Sequence, residues 1–136
     1  EGKLTMAYEG PSALKLTGLT ASADLSAKQY YFVKVSGNNT VTVCAALTDV
    51  PIGVLQNAPT SGQEAEVLCI GVTKVSADAA LTAGNLIGPS GDGQADPRTI
   101  GTDTTHYVVG TVLSGVNNAG ELATAAINCA SPARAA

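Results

Sequence analysis

The chain has 136 residues, 45% hydrophobic but only 4% aromatic and 13% charged, with a formal net charge of −4. Its size suits one compact domain, and its 7 lysines and arginines stand singly, so no basic stripe is present to neutralise a row of phosphates and direct nucleic-acid binding is not expected. No apolar run approaches the ~20 residues of a membrane span, and no charged start followed by an apolar stretch marks a signal peptide, so a protein that is soluble and intracellular when made is expected, with no membrane partner.

Residues 1–25, "EGKLTMAYEGPSALKLTGLTASADL", mix Gly, Thr, Ser and Pro11 with short apolar pieces and read as extended rather than helical. The expected organisation is an N-terminal arm over 1–20 and a single compact β domain over 21–136. An arm with free backbone donors and acceptors can add itself as a strand to a sheet edge on another subunit, which makes Leu4, Met6 and Tyr8 candidate contact residues. "DLSAKQ" predicts a short helical turn.

The next stretch, "YYFVKVS", a break at Gly37-Asn38-Asn39, and "TVTVCAA", predicts a β-hairpin, because β-branched residues flank a turn-forming sequence on both sides. At its head stand three of the five aromatic residues. In a regular strand Tyr30 and Phe32 point one way and Tyr31 the other. One side can then fill a core built mostly of small residues while the other forms a subunit or capsid contact.

Farther on, "PIGVLQ" and "AEVLCIGVTKV" read as strands around the turn-rich "NAPTSGQE", and "THYVVGTVLSGV" and "ELATAAIN" as strands around "NNAG". No window of 11 or more residues keeps a 3.6-residue apolar period. Ile52-Gly53-Val54, Ile70-Gly71-Val72 and Val109-Gly110-Thr111 place Gly inside strands, where it marks a bulge, a bend or the close approach of another backbone. The expected fold is all-β, a small Gly-bent β-barrel or β-sandwich with an extended N-terminal arm and little helix.

Candidate chemistry resolves into structural roles. His106, the single histidine, lies near Asp103, but no GxSxG elbow supplies a nucleophile. "GPSGDGQAD", residues 88–96, lacks the Lys-Ser/Thr of a phosphate loop and the distal Glu of a calcium loop, and reads as a surface turn. Glu64 and Glu66 share a strand face and read as solvated. Lys74 could be a lipoyl or biotin carrier lysine only at a hairpin tip, whereas its neighbours Val72, Thr73 and Val75 continue a strand. Cys44, Cys69 and Cys129 match no CxxC spacing and read as buried small hydrophobes, with a Cys44–Cys69 bridge open. No catalytic residue, metal or cofactor is expected.

Four segments, "DLSAKQYYFVKVSG", "IGVLQNAPTSGQEAEV", "GVTKV" followed by "ALTAGNLIGPSGDGQA", and "YVVGTVLSGVNNAGELATAAI", together resemble the small capsid decoration, or cement, proteins of tailed double-stranded-DNA bacteriophages. The resemblance spans residues 14 to 128 and rests on the order and spacing of the segments. It implies a non-enzymatic structural protein on the outside of an icosahedral shell, made in the bacterial host cytoplasm. There it bridges neighbouring copies of the major capsid protein, with a homotrimer favoured. The alternative from composition is a secreted or surface β-domain that binds carbohydrate or another extracellular ligand.

Overall fold

The computed structural model describes residues 7–10 and 12–136. Strand β1 is Leu14–Leu16, β2 Thr20–Ala21, β3 Phe32–Gly37, β4 Thr40–Val43, β5 Gly53–Leu55 and β6 Val67–Ser76; β7 is Leu86–Pro89, β8 Ala95–Arg98, β9 Tyr107–Val108, β10 Gly110–Ser114, β11 Leu122–Asn128 and β12 Ala133–Arg134. Among the described residues there is no helix, so the fold is all-β as the sequence predicts. The "DLSAKQ" segment is the exception, because it forms turns instead of a helical turn. There the Asp24 carboxylate accepts from the Ser26 N–H at 3.0 Å, and the Lys28 N–H donates to the Leu25 carbonyl. A short polar side chain thus competes with the backbone for the donor a helix would need.

Ten strands form one sheet in the order β2-β4-β3-β5-β6-β11-β10-β7-β8, with β1 also on β6, while β9 and β12 make a separate pair. The path does not close on itself, and the fold is sandwich-like rather than a barrel. The predicted hairpin is β3–β4, which turns through Asn38 and Asn39; Asn39 takes a φ of 57°, the left-handed region that Asn tolerates best after Gly. β6 is the spine of the molecule. Its residues 70–76 pair with the whole of β11, from Ile70↔Asn128 to Ser76↔Leu122.

Gly53 shows why glycine interrupts these strands. A Cβ there would stand 2.4 Å from Val67 Cγ1 and 2.5 Å from the Leu68 carbonyl oxygen, so the β5–β6 approach requires its absence. Gly71, at φ 141°, admits the close approach of Ala13 and lets residues 12–16 pack onto β6.

The core has two parts. One gathers Phe32, Val54, Leu68, Val75, Ile87, Val112 and Ile127 with all three cysteines; the other gathers Leu25, Val33, Val41, Leu55 and Val67. The β7–β8 hairpin folds back over the larger cluster, where the Gly93 carbonyl accepts from Phe32 N–H and the Ala95 carbonyl from Asp78 N–H, each at 2.8 Å. A buried arginine secures this fold-back. Arg98 pairs with Asp96 at 2.8 Å with no side-chain exposure, and its guanidinium also donates to the carbonyls of Tyr107 and Pro89.

Residues 8–10 and 12–21 of the segment read as an arm lie on the sheet of their own chain. β1 pairs β6 with Leu14 opposite Ile70, β2 runs parallel to β4, and Gly10 N–H donates to the Val72 carbonyl at 2.8 Å.

Candidate interface on the outer face of the sheet

In β6 and β11 alternate residues face opposite ways. Val75, Ala123, Ala125 and Ile127 enter the core. Cross-strand partners share a face, so Lys74 with Thr124, Ser76 with Leu122, and Val72 with Ala126 occupy the other side, joined from β10 by Thr111 opposite Ala126 and Ser114 opposite Thr124. Between Val112 and Ser114 the register slips, and the extra residue, Leu113, is 45% exposed.

Tyr8 and Tyr30 are tied to residues of this outer face, and Tyr31 follows Tyr30 in the chain. Tyr8 is held by its backbone N–H, which donates to Thr124 Oγ1 at 3.0 Å; its side chain is 52% exposed. Tyr30 lies under Lys74, whose Nζ stands 5.6 Å from the ring centroid. Tyr31 lies under Lys28, at 4.9 Å. Burial, reinforced by the nearby carboxylates of Asp92 and Asp78, raises the Tyr31 phenol above its ordinary pKa, so it keeps its proton at all physiological pH. Each of the three side chains combines apolar ring area with a polar tip, the composition that recurs in interface cores, and Tyr30 also packs against the main core cluster.

The strand alternation expected across Tyr30, Tyr31 and Phe32 does not hold, because β3 begins only at Phe32 and Tyr30 sits at φ 69°. That left-handed turn places both tyrosines, half-buried, toward the surface. Phe32 is fully buried and belongs to the core, with no surface to present to a partner. Leu4 and Met6 lie outside the described residues. Leu14 and Ile70, opposite each other and exposed by 52% and 37%, extend the apolar surface at the far end of β6, as Leu122 does at the near end. The sequence did not single these out: in "LATAAIN" the inner parity, Ala123, Ala125 and Ile127, is wholly apolar, but nothing marks Leu122 on the mixed outer parity as exposed.

The remaining candidates are structural. Asp103 Oδ1 stands 3.7 Å from His106 Nδ1, while Asp103 Oδ2 accepts from Thr99 N–H at 2.6 Å; the carboxylate fastens the 99–106 turn. Residues 91–94 of "GPSGDGQAD" are the β7–β8 turn, closed by Asp92, which accepts from Ser90 Oγ and Gln94 N–H. Lys74 lies within the ten-residue β6, away from any hairpin tip. Glu64 and Glu66 are exposed, and Lys15 lies 3.9 Å from Glu66. The three cysteines are free and buried. Desolvation pushes the Cys44 thiol up to about 12 and raises Cys69 and Cys129 as well, which keeps them protonated and inert.

No family model and no curated protein matches the chain. Among solved structures, the fold is similar to the crystal structure of the N base of head fiber gp8.5 in bacteriophage phi29, with a TM-score of 0.65 and 20% sequence identity over 87% of this chain and 96% of that one. The likeness is one of fold.

Proposed function

We propose that this protein is a structural component of a bacteriophage virion, a decoration protein seated on the outer surface of the capsid. The observation that carries this reading is the fold likeness to the head fiber base, which takes in nearly all of that chain. The order of segments that resembles decoration proteins points the same way from the sequence. The outer sheet face supplies a surface suited to the role. Tyr8, Tyr30 and Tyr31 offer large rigid contact area at low rotamer cost, and Leu14, Ile70 and Leu122 add exposed apolar surface.

In this reading the partner is the major capsid protein of the same phage, the protein is made in the bacterial cytoplasm, and the copies act as a homotrimer bridging neighbouring capsid subunits. Binding only the assembled shell stabilises it by linkage, and contacts repeated within one oligomer add avidity without new chemistry. No turnover is involved. The test is co-sedimentation of the purified protein with mature capsids that lack it and with unexpanded procapsids. Saturable binding to the mature shell, with greater survival on heating, is the expected result; binding to neither shell refutes the reading.

A further inference from the structure

The register of the β6–β11 ladder gives one cysteine a partner that its spacing in the sequence does not suggest. From Ser76↔Leu122 to Ile70↔Asn128 the pairing runs without a shift, and one step farther it sets Cys69 opposite Cys129. The Cys129 N–H donates to the Cys69 carbonyl at 3.0 Å, one of the two bonds that opposite residues of an antiparallel pair can exchange. Both side chains enter the main core cluster, where the residues are 4% and 3% exposed.

Residues bonded in this way have Cα atoms about 5.5 Å apart, inside the range of about 4.4–6.8 Å that a disulfide spans. Opposite Cβ atoms stand about 4.5–5.5 Å apart, and a disulfide draws them to about 3.5–4.5 Å. The place allows that small closure. The ladder ends at Ile70↔Asn128, and Ala130 and Ser131, which follow Cys129, are exposed and outside any strand. Cys44 lies in the same cluster but is held elsewhere: its N–H donates to the Phe32 carbonyl, and β4, which precedes it, pairs with β2 and β3 and not with β6 or β11.

We propose that Cys69 and Cys129 are a disulfide site, closed by a small disulfide oxidant such as oxidised glutathione, with Cys44 left as the free thiol. One cysteine thiolate attacks the oxidant and expels a glutathione thiolate; the second attacks the cysteine sulfur of the mixed disulfide and expels the other. Two electrons pass from the cysteines to the oxidant, and their two protons end on the two glutathione thiols. In the finished fold both thiols are buried and protonated, so closure belongs to folding, as β11 docks on β6. The bridge fastens the end of β11, and the chain leading on to β12, to the spine of the sheet. In a reducing cytoplasm the dithiol persists, and in an oxidising medium the bridge is retained. None of this depends on the capsid reading.

The test unfolds the full chain in urea, refolds it by dilution into a buffer of reduced and oxidised glutathione, alkylates the remaining thiols in denaturant after an acid quench, and maps the bridge by mass spectrometry of peptides. The expected product is a monomer with Cys69 joined to Cys129 and Cys44 alkylated. Its urea midpoint is expected to stand about 1 M above that of the dithiol form and to return on reduction. A bridge that includes Cys44 overturns the proposal, as do three free thiols in a chain that has regained its native circular dichroism, or a Cys69–Cys129 bridge that fails to raise the midpoint. Should refolding fail, the native protein held in the same buffer at a urea concentration below its midpoint is mapped in the same way.

Discussion

Arg98 and Asp96 form an ion pair at 2.8 Å in which the guanidinium has no exposure and the carboxylate 27%. Two carbonyls, from Pro89 and Tyr107, accept from the same guanidinium, so one side chain ties β8, β7 and β9 together. Arg98→Ala leaves those carbonyls and Asp96 without their donor. The expected loss is about 3 kcal/mol, the lower end for breaking a buried pair, read as a lower urea midpoint.

Gly53→Ala tests the β5–β6 approach. The added methyl meets Val67 Cγ1 and the Leu68 backbone inside van der Waals contact, and the backbone atoms among these leave little room to relax. A loss of about 1–3 kcal/mol is expected, with a fall in melting temperature. An unchanged melting temperature shows that the two strands separate at little cost.

The thiols provide a chemical reading of the core. Cys44, Cys69 and Cys129 are buried and protonated, so a thiol reagent at neutral pH is expected to label none of them in the native protein and all of them in denaturant. Labelling of Cys129 without unfolding contradicts the packing described.

Asp78 gives the fold a pH dependence of defined sign. Desolvation, with Asp92 and Asp96 nearby, raises its carboxyl above the ordinary value of 3.8. A group raised in the folded state contributes stability that is fully present below the unfolded pKa and lost as pH rises through the folded one. Asp78→Asn removes the charge that causes the loss. It is therefore expected to stabilise the protein at neutral pH and to give no gain once the pH falls below 3.8, as compared by thermal unfolding across that range.

Tyr31→Ala separates contact from core. Its ring lies at the surface under Lys28, so the variant is expected to unfold near the wild-type temperature while binding capsids more weakly. Phe32→Ala opens a cavity in the main cluster and costs about 3–5 kcal/mol. Equal loss of stability in the two variants places Tyr31 in the core instead.

The sequence announces some of this structure clearly. The β3–β4 hairpin is legible because β-branched runs flank Asn38-Asn39, and Gly53, Gly71 and Gly110 mark close approaches because only steric need keeps Gly in a strand. Hairpin β7–β8 is not legible. "GPSGDGQADPR" holds no run of β-formers, and its strands exist because Arg98, Gly93 and Ala95 bond to distant segments. The outer face is half legible: Tyr8, Tyr30 and Tyr31 stand out in a chain poor in aromatics, but Tyr30 leaves the strand geometry, and nothing local to "KQYYF" signals that φ 69° turn. That Tyr8 and Tyr30 are tied to neighbouring residues depends on the Thr124↔Lys74 register, which joins residues far apart in the chain.

The two ends of the long sheet bear on how such a protein behaves when many copies are crowded together. At one end β8 contains Pro97, which has no N–H to give to an approaching strand; at the other, β2 is only two residues long and is already bridged on its second side, Thr20 to Glu64. Backbone-to-backbone growth is therefore hindered at both of these borders. Contacts between copies at these two borders are thereby left to side chains rather than to the backbone ladder.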